Sequence, residues 1–274
     1  MRDGATRLVV VADDFGRTSG VNRATVSALK DGIVTAASLM AGGQEFEEAA
    51  RLAREHRRLG VGLHVTVCDG FAVLPPDHFR GFAGGDGGLE PNPTRAGVRL
   101  WRERRRLLPI MQDEIAAQFD RAGRAGIALT HVDGHHHMHI HPLVFPIVCR
   151  EASRRGVGWI RIPRGDPREG RLAEWALFGV LGSLNGRTAA RHGLDASTRV
   201  HGLSRTGRIE ESYLLDLLPR LRPGLNEIFV HPDLDTEEGR RELAAVTSPR
   251  VRQQVARLGI ALVSYASAGM GATS

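Results

Sequence analysis

Six of the twelve histidines of this 274-residue chain fall within the thirteen residues from Thr130 to Pro142, written Thr-His-Val-Asp-Gly-His-His-His-Met-His-Ile-His-Pro. Neutral imidazole is the commonest side-chain metal ligand, because it offers a lone pair without first losing a proton. The cluster therefore points to a metal. Ile127 to Val132 reads as a short buried strand that runs into a polar loop at Asp133-Gly134, so the histidines stand where a strand meets its loop. In parallel α/β sheets and barrels that edge carries the chemistry. The competing reading is a histidine-rich surface loop that binds metal adventitiously.

Further reactive side chains sit at comparable positions. Leu8 to Ala12 is a continuous apolar run, the pattern of a strand covered on both faces, and it ends in Asp13-Asp14-Phe15-Gly16. Adjacent strand side chains diverge, so one carboxylate can bind a cation while the other takes a proton; as ordinary structure, the pair is a helix cap and its neighbour. His64 lies inside the apolar stretch Leu59 to Val67, Arg161 and Arg164 close the stretch Val157 to Ile162, and His231 follows Asn226 to Val230. Each has a plain structural reading, as a core histidine or a surface arginine pair. On neighbouring strands of one parallel sheet, all would reach the same rim.

The elements that must position them alternate along the chain. Strands are expected at 8–12, 33–40, 59–67, 127–132, 157–162, 200–203, 226–233 and 260–265, and helices at 21–31, 45–58, 109–125, 143–155, 170–192, 209–218 and 248–258. The pattern predicts one α/β domain over residues 1–274 with mostly parallel strands, most economically a single-domain (β/α) barrel of the TIM-barrel-like type. Residues 68–93, rich in Gly, Pro and Asp, are too long for an idle connection and read as a substrate-facing lid. The apolar stretch with Trp175, Leu177, Phe178, Val180 and Leu181 is a candidate for core, a dimer face or a membrane-facing element.

Composition narrows the partners. The formal charge is +6 and the sequence pI near 10.4, and Lys30 is the lone lysine among 37 basic residues. Such a balance suits an anionic partner, but the arginines are dispersed apart from 54–58 and 102–106, which read as solvated helix faces. No nucleic-acid-binding motif is present and aromatics are few, so nucleic acid is not expected. Cys68 and Cys149 are far apart with no Cys-x-x-Cys, which speaks against a disulfide framework or thiolate zinc site. With neither a signal-peptide pattern nor a membrane-spanning apolar run, the expected location is cytoplasmic.

Two imidazoles and a carboxylate leave coordination positions open for water and substrate, the arrangement of a catalytic metal site; zinc suits these ligands, and magnesium is the harder alternative. A spare carboxylate can then deprotonate the attacking water and a histidine can protonate the leaving group, which is metal-assisted hydrolysis of an amide or ester.

Ala-Asp13-Asp14-Phe15-Gly16, Gly62-Leu63-His64, His131-Val132-Asp133-Gly134-His135-His136-His137-Met138-His139 and Val230-His231-Pro232 occur in that order. Together they resemble the YdjC-like carbohydrate deacetylase family, which includes the chitooligosaccharide deacetylases, over roughly residues 7 to 265. The resemblance implies a barrel-like α/β fold, one divalent metal ion per chain, hydrolysis of the N-acetyl group from an amino sugar, and a homodimer. Carried over by motif, it implies Asp14, His64 and His135 as metal ligands, Asp13 as general base and His231 as general acid; Arg161-Ile162-Pro163 more loosely resembles the Arg-x-Pro element of the wider polysaccharide deacetylases, which implies Arg161 orienting the base. Pro75-Pro76, the Trp175 to Asn185 stretch and the Val200 to Arg208 region look most like the hopanoid-biosynthesis-associated subgroup, which implies an N-acetylglucosaminyl hopanoid substrate and peripheral contact with the inner membrane. The run His135-His136-His137 is closer to the chitooligosaccharide members. Two rivals stand beside this reading: a metal-dependent phosphoesterase, with a second ion held by His136, His137, His139 and His141, and a non-catalytic module binding metal or nucleic acid.

Overall fold

The computed structural model describes residues 4–79, 81–163, 172–196 and 199–268, with the side chains of 172–178 outside the description. Among the described residues eight strands form one sheet: β1 (Thr6–Phe15), β2 (Ala36–Leu39), β3 (Gly60–Val65), β4 (His131–Gly134), β5 (Trp159–Ile160), β6 (Arg199–His201), β7 (Gly224–Val230) and β8 (Ala261–Leu262). The order is β5-β4-β3-β2-β1-β7-β6, every pairing is parallel, and β8 joins the start of β1. Among the described residues β5 and β6 share no ladder; a single parallel bridge, Trp159 to Asp195, stands beside β5. The expected barrel is thus a curled sheet with its helices outside.

The helices are α1 (Ser19–Asp31), α2 (Phe46–Glu55), α3 (Pro93–Arg102), α4 (Arg104–Arg124), α5 (Phe145–Arg154), α6 (Leu172–Arg191), α7 (Glu211–Leu217), α8 (Glu237–Thr247), α9 (Pro249–Arg257) and the short α10 (Tyr265–Ala268). Side-chain alternation along β1 builds both layers of core. Leu8, Val10 and Ala12 pack into the larger cluster under the helices, whereas Val9 and Val11 join Ala36, Phe229 and Tyr265 in a smaller one. Asp13 continues the row of Val9 and Val11, so β1 delivers a carboxylate to the top of the inner cluster.

Three expectations are corrected in detail. The histidine strand occupies His131–Gly134 rather than 127–132, because its ladder with β3 pairs Leu63 with Val132 and His64 with Asp133. Asp133, expected in a loop, is therefore a strand residue, held there by buried partners. Helices α3 and α8 occupy stretches where none was expected, although Asn92 and Thr236 cap them by accepting from Arg95 N and Gly239 N. The arginine run at 102–106 spans the α3–α4 junction and carries exposed side chains, as expected of a solvated face.

Arg164 lies outside the described residues, as do the side chains of Trp175, Leu177 and Phe178 in the apolar stretch. Of its remaining members, Leu181 packs against the core and Val180 is 62% exposed. Among the described residues no helix is long and apolar enough to cross a membrane.

Candidate active site

The site opens where β1, β3 and β4 end. Asp14 stands at φ 64°, in the left-handed region, and the pairing of β1 with β2 slips between Ala12 and Phe15. A non-glycine residue held there costs on the order of 1–3 kcal/mol unless its surroundings fix it. The twist separates the two neighbouring carboxylates: Asp13 stays in the inner row and Asp14 turns toward β3 and β4. After β4 the chain enters a 3-10 turn, His135–Ile140, broken by left-handed conformations at His136 (φ 50°) and His137 (φ 55°). That break sends consecutive histidines in different directions.

Asp14, His64 and His135 converge. Asp14 Oδ1 lies 3.2 Å from His64 Nε2 and 2.9 Å from His135 Nδ1, and one ligand atom from each residue falls within 4.8 Å of the others. All three side chains are buried. Yet for all this proximity neither Asp14 Oδ1 nor His64 Nε2 makes a well-aligned hydrogen bond. Buried polar atoms are almost always satisfied, so two unsatisfied atoms aimed at one point fit a cation. Around this centre the buried carboxylates of Asp13, Asp14 and Asp133 face the buried guanidinium of Arg161 and the partly exposed one of Arg17, whose Nη1 lies 3.2 Å from Asp14 Oδ2.

A buried network braces the ligands. His64 Nδ1 donates to Asp133 Oδ1 at 2.7 Å, and Ser38 Oγ donates to Asp133 Oδ2 at 2.6 Å. A carboxylate behind a ligating imidazole fixes its tautomer and raises its basicity. Burial opposes charge on His64, but Asp133 outweighs it and lifts His64 to about 10; an ion would displace that proton. Asp14 is held well below the usual carboxylate range, the contacts and charges of His135 and His64 outweighing burial.

Arg161, just past β5, is fully buried. Its Nη1 and Nη2 donate to Asp13 Oδ2 and Oδ1 at 2.6 and 2.8 Å, Nη2 also lies 2.8 Å from Asp133 Oδ2, and Nε bonds Glu227. Glu227 accepts in turn from the Tyr265 hydroxyl. One planar fork thus holds both oxygens of Asp13 and ties it to the carboxylate behind His64. His231, after β7, is partly exposed; its backbone N–H donates to Glu242 Oε2 at 2.5 Å. Burial opposes the His231 imidazolium, but Glu242 and the charges of Asp13 and Asp14 prevail and raise its pKa. A histidine biased toward its protonated form can give a proton to a leaving group.

Of the spare histidines, three have other partners. His139 Nε2 bonds the Arg161 carbonyl at 2.9 Å, His137 packs against Phe229, and His141 lies against Gly97. His136 meets Asp69 beside His135, at 3.0 Å, and one ligand atom from each of these three falls within 4.8 Å of the others; Arg17 lies against this group as it does against the first, 3.3 Å from Asp69 Oδ2 and 3.2 Å from Asp14 Oδ2.

Residues 7–257 match the family described as YdjC-like protein. The chain belongs to the YdjC-like family. It is 31% identical over 268 residues to a carbohydrate deacetylase of Geobacillus stearothermophilus, covering 94% of this chain and 96% of that protein. A carbohydrate deacetylase of Brevibacillus brevis is 39% identical over 54% of this chain and 56% of its own length, and a chitooligosaccharide deacetylase of Salmonella typhimurium 37% identical over 57% and 59%. The matched region thus spans little more than half the length of these two relatives. Among solved structures, a putative cellobiose-phosphate cleavage protein from Enterococcus faecalis shares the fold, with a TM-score of 0.77 at 20% identity over 96% of this chain and 98% of that one. A lactam utilization protein from Thermus thermophilus superposes with a TM-score of 0.55 at 14% identity, over 94% and 99%.

In this YdjC-like chain, sequence reasoning gave no role to Asp133, Glu227, Tyr265, Ser38, Asp69 or Glu242. A signal existed for Glu227 and Asp133. Each is a charge bordering an apolar run, Asp133 after Val132 and Glu227 before Ile228, and a charge that must be buried needs a partner.

Proposed function

We propose that this chain is a metal-dependent carbohydrate N-deacetylase that removes the acetyl group from an N-acetylglucosamine moiety. The observation that carries the reading is the convergence of Asp14, His64 and His135 with two buried, unsatisfied ligand atoms directed at one point. The relatives named as carbohydrate and chitooligosaccharide deacetylases agree with it.

Zinc or magnesium held by these three residues would polarise the amide carbonyl and acidify a water. The rest belongs to the chain. Asp13, clamped by Arg161, accepts the proton of the attacking water through a lone pair that the guanidinium leaves free. His231, backed by Glu242, donates a proton to the departing amine. Arg161 keeps Asp13 and Asp133 in fixed relation, so base and ligand shell hold one geometry. A cavity of about 320 Å³ opens beside Arg17 and Asp69, lined also by Gln44, Phe71 and Asp86, a size within the range of small-ligand sites.

The substrate we infer is an N-acetylglucosaminyl hopanoid, with soluble chito-oligosaccharide as the alternative. The Pro75-Pro76 element supports the lipid-linked form, as does the surface of α3, where Val98 and Trp101 are each 53% exposed among Arg95, Arg102, Arg104 and Arg105. Exposed apolar side chains ringed by arginine suit an anionic membrane surface. A homodimer and a cytoplasmic location are part of the same proposal. Acetate release is to be assayed side by side on GlcNAc-hopanoid and chitobiose, with and without zinc or magnesium. Turnover of the hopanoid alone fits the proposal, turnover of chitobiose alone fits the alternative, and release from neither refutes both.

A further inference from the structure

Asp69 opens the 68–93 loop, and its side chain is 29% exposed. Its Oδ2 lies 3.1 Å from His135 Nε2, 3.0 Å from His136 Nε2 and 3.3 Å from Arg17 Nη2. His135 is therefore bracketed, with Nδ1 facing Asp14 in the buried pocket and Nε2 facing the loop carboxylate of Asp69 at 3.1 Å, nearer than Arg17 Nη1 at 3.4 Å. His64 has the same arrangement with its nitrogens exchanged: Nε2 faces Asp14 and Nδ1 faces Asp133. A neutral imidazole that donates one N–H to a carboxylate offers its other nitrogen as a bare lone pair, the form a cation requires.

The two backing carboxylates differ in where they stand. Asp133 is sealed in β4. Asp69 rides on the loop at φ 46°, a left-handed conformation that aspartate tolerates better than most residues. The loop holds it there: Asp69 N–H donates to the Glu90 carbonyl at 2.9 Å and Leu89 N–H to the Gly70 carbonyl at 2.8 Å. Farther along, Glu114 of α4 accepts from Val73 and Leu74 N–H at 2.9 and 3.0 Å. Asp69 also lines the 320 Å³ cavity beside the site. One carboxylate thus touches the loop's own framework, the wall of the cavity and the back of His135.

We propose that Asp69 is a positioning residue that fixes His135 with Nδ1 toward the ion, which makes the 68–93 loop part of the metal site. The proposal rests on the metal reading above. It follows that ion affinity is set partly from the loop, and that ion binding in turn orders the loop around Asp69.

The test titrates zinc, against a chromophoric chelator, into the full chain and its Asp69→Ala, Asp69→Asn, Asp69→Glu and His136→Ala variants, with the visible spectrum of the cobalt-substituted proteins as a second readout. Asp69→Ala is expected to weaken zinc binding by about 10–100-fold, the usual effect of removing such a partner, and to alter the cobalt spectrum. Asp69→Glu should recover most of the affinity, and His136→Ala, which shares the Asp69 oxygen but does not face Asp14, should bind as the wild type does. Denaturation midpoints of the metal-free proteins separate this from loss of fold, and Asp69→Asn carries the test if the alanine variant does not fold. Wild-type affinity with an unchanged cobalt spectrum in Asp69→Ala and Asp69→Asn overturns the proposal, as does zinc loss that only tracks unfolded protein. A wild-type chain that binds no zinc overturns the metal reading as well, so the two failures are distinguishable.

Discussion

Asp13→Asn separates chemistry from metal binding more sharply than other substitutions at this site. Asp13 is 1% exposed, with its two oxygens 2.6 and 2.8 Å from Arg161 nitrogens. Asparagine fills the same volume, but its amide must set a donor against one of those guanidinium N–H groups, and an unmade buried hydrogen bond costs about 1–3 kcal/mol. The fold should survive that. Turnover should not, because general-base assistance is worth roughly 10²–10⁴ in rate, or about 3–5 kcal/mol of barrier at 1.36 kcal/mol per tenfold. Asp13 is not among Asp14, His64 and His135, so bound zinc should stay at the wild-type level. The assay pairs steady-state acetate release with zinc stoichiometry and a denaturant midpoint on the same preparation. A variant that keeps its zinc and most of its kcat refutes Asp13 as the base, and one that stays folded but loses its zinc refutes the division of labour between Asp13 and Asp14.

Arg161→Met should destabilise the chain by about 3–5 kcal/mol, because it leaves the carboxylates of Asp13, Asp133 and Glu227 buried without their cation; a denaturant midpoint near wild type would contradict that. Glu242→Gln keeps an acceptor for His231 N–H but removes a charge that helps raise His231. The alkaline limb of kcat/KM, where the general acid loses its proton, should then move to lower pH, and an unmoved limb would exclude His231 as the acid. Burial lowers His131 and His139 to about 4 in the folded chain from 6.5. Both are neutral in either state above pH 6.5, and between 6.5 and 4 the unfolded chain takes up protons that the folded chain refuses, so stability falls with pH by on the order of 3 kcal/mol per histidine. Denaturant midpoints across that window should show the slope, and His131→Asn should flatten it.

Much of this architecture was legible because apolar runs end in reactive residues. The run Leu8 to Ala12 announced β1 and placed Asp13 and Asp14 at its end, and the runs before His64, Arg161 and His231 did the same for β3, β5 and β7. What the pattern did not convey is pairing across distant strands. Asp133 read as a loop residue because a lone aspartate after an apolar run looks like a turn; only the sheet sets it opposite His64 and within reach of Ser38 and Arg161. His131 belongs to the same histidine cluster in sequence, yet its ring packs on Gly62, where an added Cβ would come within 2.4 Å of it. That fit, with Ser38 at 3.2 Å and Thr130 at 3.0 Å from its nitrogens, makes it a core histidine. Asp69 was hidden for a different reason, since nothing in a Gly- and Pro-rich loop specifies which strand end it folds over.

The most direct measurement is acetate release by protein stripped with a chelator and then reconstituted with zinc or magnesium, comparing the wild type with Asp14→Ala and His64→Ala. The stripped enzyme should be inactive, recover as one ion binds per chain, and show no recovery in either variant. Full activity without metal, or in a variant lacking Asp14, would contradict that.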